Sequence, residues 1–187
     1  YGMGQNAVTA NPTSSITLSA IIYPTLLSGR VQSVLSFGQY DLRLDETGAA
    51  SLRGGDRVIT TAHPLKLRQW YRINVKVTQG SIVLEQHEIG PRTSLPMVVT
   101  GEGLEILATT AIPTVAAHFE NEQVNQHFNG KIEAPRIEMD GEILCEWDFS
   151  KDVKTTTVRA LVGPNMTLVN HPARAVTGAA WDGSEMN

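Results

Sequence analysis

Cys145 is the single cysteine in this chain of 187 residues. One thiol excludes an internal disulfide and a cysteine-built zinc site. It fits a reducing compartment, so a cytoplasmic location is expected. Aromatic residues reach only 6%, and they form no row along a strand. Lys and Arg form no cluster and the net charge is -4, so nothing attracts a phosphate backbone and no nucleic-acid partner is expected. No apolar run approaches the roughly 20 residues of a membrane helix, and no membrane partner is expected. Apolar residues at i, i+3, i+4 and i+7 are sustained in no window. Also missing are a nucleophile elbow, a phosphate-binding glycine loop and a dinucleotide fingerprint.

What is there alternates. Hydrophobic content is 41% and charged content 18%, enough for a full core in one domain. Ile16, Leu18, Ala20 and Ile22 share one face of a strand that Pro24 ends. Arg30 to Phe37 places Val31, Ser33, Leu35 and Phe37 together, and Tyr40, Leu42 and Leu44 follow. Tyr71, Ile73, Val75 and Val77 alternate with polar residues before Gln79-Gly80 turns the chain into Ser81 to Glu85. Asn129-Gly130 reads as a turn with positive φ at both residues, delivering a strand with Ile132 and Ala134 on one face. Pro135 marks an edge or a bulge in that strand. Ile143, Cys145, Trp147 and Phe149 alternate with Leu144, Glu146 and Asp148.

Short strands about every 10 residues, with turn signals between them, predict an all-β jelly-roll sandwich of two antiparallel sheets. Residues 1–14 read as a lead-in, 15–153 as the sandwich, and 154–187 as a tail packing on it and leading toward a following domain. The chain begins at Tyr1, not at a methionine, and is expected to be a fragment continuing past Asn187.

Each candidate site has a plain alternative. Glu85, His87 and Glu88 are the densest ionisable cluster. Glu85 and Glu88 fall on opposite faces, which denies a retaining carboxylate pair, while Glu85 and His87 share a face that suits either a metal or a solvated strand end. The five histidines (His63, His87, His118, His127, His171) hold no close zinc spacing and read as surface or hydrogen-bonded groups. Asp41, Asp45 and Glu46 offer oxygens to calcium or form a charged turn. Of Trp70 and Tyr71 one must face the core, leaving the other as a possible sugar platform. Arg174, Trp181 and Asp182 are candidates for an interface with another domain or subunit, or pack back on the sandwich. Cys145 alternates with Trp147 and reads as a buried hydrophobe. No catalytic residue and no cofactor is assigned to this chain.

The order of Ser15 to Pro24, the Gly38-bounded strand, Tyr40-Asp41-Leu42-Arg43-Leu44, Trp70-Tyr71-Arg72-Ile73 and Phe128-Asn129-Gly130-Lys131-Ile132 resembles concanavalin A-like lectin/glucanase domains of laminin-G type. At the hairpin after Gly80 the chain reads Glu85-Gln86-His87-Glu88, which departs from the aspartate-glycine turn of many such modules. Trp147-Asp148-Phe149-Ser150, followed by residues 168–178 and Trp181-Asp182-Gly183, is similar to the sandwich region of the N,N-dimethylformamidase large subunit and its relatives. There the sandwich precedes a separate, metal-dependent catalytic domain. The resemblance implies a non-catalytic accessory domain of an amide hydrolase, its partners the other domains or subunits of the parent enzyme. A carbohydrate-binding lectin-like module is the competing expectation, with a glycan as partner.

Overall fold

The structure, a computed structural model, describes residues 1–11, 14–90, 95–120, 123–151 and 155–169. No helix occurs among them. Two large antiparallel sheets face each other as a jelly-roll sandwich. The seven-stranded sheet runs Met97–Glu102, Ser81–Ile89, Trp70–Thr78, Ser15–Pro24, Gly130–Met139, Glu142–Trp147 and Ala160–Val162. The eight-stranded sheet runs Thr157–Val158, Met166–Leu168, Gly2–Gly4, Thr114–Val115, Gln32–Phe37, Tyr40–Leu44, Ala49–Gly54 and Arg57–Pro64. All the paired strands are antiparallel.

The core forms where the alternation predicts it. Ile16, Leu18, Ile22, Ile73, Val75 and Leu84 from one sheet meet Leu35, Phe37, Tyr40, Leu42 and Leu52 from the other, all within one buried cluster. Each such Leu or Ile contributes roughly 1.5–3 kcal/mol by leaving water, which is how a chain with a single thiol holds two sheets together. Cys145 lies in this core at 0% exposure, and burial pushes its thiol up to about 12. A thiolate-specific reagent at about pH 8 should therefore leave the native protein unlabelled and modify it only as fast as it unfolds. Rapid labelling of native protein would contradict this packing.

Three local expectations are corrected. Asn129-Gly130 is not a two-residue hairpin turn, since neither residue has positive φ. Gly130 begins a strand opposite Pro24, and a Cβ there would sit 2.3 Å from the Tyr23 carbonyl oxygen, so close approach of two backbones is what demands glycine. The register shifts between Glu133 and Arg136, so Pro135 sits in a bulge of an interior strand. The bulge turns Ala134 out to solvent with φ 44 and Pro135 inward. A second bulge, between Ser33 and Leu35, puts Ser33 on the opposite face from Leu35.

The lead-in is also part of the sheets. Gly2–Gly4 pairs with both Thr114–Val115 and Met166–Leu168, and Val8–Ala10 pairs with Thr109–Ala111. Val158, Met166 and Leu168 of the tail enter the core.

Candidate functional site

The two sheets differ on their outer faces. Strands Gln32–Phe37 and Tyr40–Leu44 of the eight-stranded sheet are buried throughout, so that face is covered. In the seven-stranded sheet the interior strand Trp70–Thr78 exposes Arg72 and Lys76, so its outer face is open.

Cross-strand register builds the open face in rows. Tyr23 lies opposite Lys131, whose Nζ stands 5.1 Å from the ring centroid as a cation–π contact. On its other side Tyr23 meets Trp70, with ring centroids 5.1 Å apart and planes inclined at 48°. The next row carries His87, Arg72, Ile21 and Glu133. Beyond it come Glu85, Asn74, Ser19 and Arg136, with Asn74 Nδ2 donating to Glu85 Oε2 at 3.3 Å. Arg136 pairs with Glu138 at 2.7 Å, while its Nε is buried without a hydrogen bond. The face thus joins an aromatic ring to amide, guanidinium, imidazole and carboxylate groups, a set of directional donors and acceptors around an apolar patch.

The expected platform residues separate as alternation requires. Tyr71 points inward at 3% exposure, its hydroxyl accepting from Lys66 N at 3.1 Å and lying 3.5 Å from Glu88. Burial is the main reason its phenol is raised above the ordinary value. Trp70 points outward but is only 7% exposed, and Tyr23 is the half-buried ring beside it. Neither expected residue offers an open ring; Tyr23, at a strand end closed by Pro24, is the aromatic the sequence reading missed. Its signal was odd parity on a strand whose even positions are apolar.

Other candidates are scattered. Glu85 and His87 share the open face and Glu88 lies on the other, held by Lys66 Nζ at 3.1 Å. Glu85 and Glu133 sit three strand spacings apart, about 14 Å, beyond either spacing used by glycosidases. Asp45 Oδ1 accepts from Thr47 N, Thr47 Oγ1 and Ala49 N, closing a turn, while Asp41 turns to a buried cluster. Among the described residues no group of three His, Cys, Asp or Glu is placed to hold a metal ion. Arg174, Trp181, Asp182 and His171 lie outside the described residues.

That buried cluster lies under residues 116–119 and 123–128, which are stapled along Gln32–Phe37 by Ala116 N to Val34 O at 2.9 Å and Ser33 N to Gln126 O at 2.7 Å. Ser33 Oγ donates to Asp41 Oδ1 at 2.5 Å. Arg43 lies 3.8 Å from Asp41 Oδ2, and His118 Nδ1 lies 4.0 Å from Asp41 Oδ1. Arg53 reaches His118 Nε2 at 2.6 Å, and because guanidinium only donates, Nε2 accepts. Burial pushes the Asp41 carboxyl above the usual carboxylate range, against the downward pull of the Ser33 hydrogen bond, His118, Arg43 and Arg53. Burial likewise lowers Arg43.

No family model matches the chain, and no curated protein sequence matches it. Solved structures do. A Bacteroides ovatus protein proposed to bind carbohydrate superposes with a TM-score of 0.61 at 14% identity over 89% of this chain and 57% of its own. The enzymatically active domain of tailspike protein 2 from bacteriophage CBA120 gives 0.51 at 20% identity, over 71% of this chain and 23% of its own. A heptameric SAP-like pentraxin from Limulus polyphemus gives 0.49 at 12% identity, over 73% of this chain and 68% of its own. At these identities the likeness is one of fold, and the chain spans little more than half of the first of these structures. The concanavalin A-like part of the sequence resemblance agrees in fold with the first of these; its laminin-G and amidase parts find no counterpart among the three.

Proposed function

We propose that this protein is a carbohydrate-binding, lectin-like sandwich module whose glycan lies across the open face of the seven-stranded sheet. The observation that carries the reading is the half-buried Tyr23 ring, in contact with Trp70 and Lys131 at the edge of a lattice of polar side chains that are exposed or half-buried. A sugar ring presents C–H groups on one face, which suit the negative face of an aromatic ring, and hydroxyls around its rim, which need donors and acceptors in fixed directions. Basic Arg72, Lys76, Lys131 and Arg136 are interspersed with acidic Glu85, Glu133, Glu138 and Glu146, so the face has no dominant sign and favours a neutral glycan. The Bacteroides ovatus protein of the same fold, itself proposed to bind carbohydrate, supports the assignment.

The test is a glycan array followed by calorimetry. A neutral oligosaccharide should bind, and Tyr23→Ala should weaken it about tenfold, a loss of about 1.4 kcal/mol, while the far-UV spectrum stays that of the parent. Binding that ignores Tyr23→Ala and Arg72→Ala alike would remove the site from this face.

The accessory-domain reading, with the other domains or subunits of an amidase as partners, rests on Trp147-Asp148-Phe149-Ser150 and on residues 168–183. The first segment is accounted for by local packing: Trp147 is a core residue and Asp148 Oδ1 accepts from Ser150 N at 2.9 Å. Most of the second lies outside the described residues. No observation here favours that reading over glycan binding.

A further inference from the structure

The geometry points to a second binding site, on the far side of the sandwich from the open face, that takes one neutral sugar ring. A pocket of about 300 Å³ opens beside the eight-stranded sheet, walled by Ser36, Gly38, Thr110, Ala111, Ile112, Phe119 and the exposed Ala7. Its volume is at the bottom of the range for small-molecule sites, roughly 300–1,000 Å³, which suits a single ring and not a chain.

The walls set the chemistry. Phe119 supplies an aromatic side chain left 37% exposed. Ser36 and Thr110 supply hydroxyls, each already oriented: Ser36 Oγ pairs with Thr114 Oγ1 at 2.5 Å and Thr110 Oγ1 with Thr9 Oγ1 at 3.0 Å. A hydroxyl with one neighbour keeps a further lone pair or proton for a ligand. No lining residue is ionisable, so neither an anion nor a cation gains by entering. A ligand that stacks one apolar face and exchanges hydrogen bonds with hydroxyls, while carrying no charge, is a neutral monosaccharide unit.

The pocket is also built, not incidental. Gly38 has φ +58, and a Cβ there would sit 2.3 Å from Thr109 Cγ2, so only glycine lets the Thr109–Ala111 strand close this wall. Phe119 belongs to the hairpin formed by His118–Glu120 and Gln123–Asn125. The residue before it, His118, is buried against Arg53, which fixes where the ring stands.

The test uses the whole chain and methyl glycosides of glucose, galactose and mannose as probes, followed by amide shifts in ¹H–¹⁵N spectra. At least one glycoside should shift Gly38, Thr110 and Phe119. Phe119→Ala should weaken that binding about tenfold, and Ala7→Trp, an exposed position that fills the hollow, should abolish it. Tyr23→Ala should leave it unchanged, which separates this site from the sheet face: either can fail alone. Absence of shifts with all three glycosides, shifts that survive Ala7→Trp, or binding of phenol in place of every sugar would each overturn the assignment.

Discussion

Replacing Trp147 with alanine should lower the unfolding free energy by about 3–5 kcal/mol, a large share of the 5–15 kcal/mol typical of a domain. Trp147 is fully buried on the strand next to the edge of the seven-stranded sheet, opposite Ala160 of the edge strand. Its indole Nε1–H donates to the Pro164 carbonyl at 2.8 Å, so one side chain both fills the core and fixes the turn at 163–165. Gly163 in that turn has φ +85, and a Cβ there would meet the Leu144 carbonyl at 2.8 Å, so the turn cannot shift inward to fill a void. A site that cannot collapse shows the upper part of the cavity cost. Trp147→Phe keeps most of the ring area and loses the hydrogen bond, so it should cost about 1–2 kcal/mol. Urea unfolding followed by far-UV circular dichroism separates the two. An alanine cost near that of phenylalanine would mean that the hydrogen bond, and not packing, holds this edge.

The residues that were legible are those whose neighbours along the chain decide their environment. Period-two alternation assigns Ile16, Leu18, Ile73 and Val75 to the core because burial on one sheet face is a local pattern. A bulge breaks that pattern without announcing itself. Counting in twos puts Ser33 beside Leu35, and the extra residue between them sends Ser33 to the outer face against Asp41. The buried polar cluster was hidden for that reason, and Asp41 was read with Asp45 as a calcium candidate. Asn129-Gly130 failed differently. Glycine serves close approach as well as positive φ, and only the position of the Tyr23 carbonyl distinguishes the two.

The candidate sites were less legible than the core, because each is made by residues distant in sequence. Trp70 stood out as an aromatic, yet its neighbour Tyr23 and the cation above it, Lys131, come from strands 47 and 61 positions away by residue number. Cross-strand register supplies that grouping, and register is set by core complementarity that no single segment carries. Nothing local to Phe119 said that its strand would leave the ring beside a hollow.

The same register predicts how the covered face responds to losing the Asp41 carboxylate. Asp41→Ala should destabilise the protein by about 3 kcal/mol near neutral pH, the low end of the cost of breaking a buried ion pair. The low end applies because burial already penalises the carboxylate, as its raised pKa indicates, and that penalty vanishes with it. What remains is Arg43 without the carboxylate beside it, and Ser33 Oγ without its acceptor. Adding Arg43→Leu should recover much of the loss. The pH dependence fixes the sign. A carboxyl whose folded pKa lies above its unfolded value leaves the folded state holding more protons between the two values, so the stability it contributes falls as pH rises through that window. The gap between parent and Asp41→Ala should therefore be wider at about pH 4.5 than at about pH 8. A gap that narrows on acidification would mean that pairing with the arginines outweighs burial at this carboxylate. Because the segment over the cluster continues into Phe119, the variant should also exchange amide hydrogens faster at 116–119, and the pocket wall should loosen before the core does.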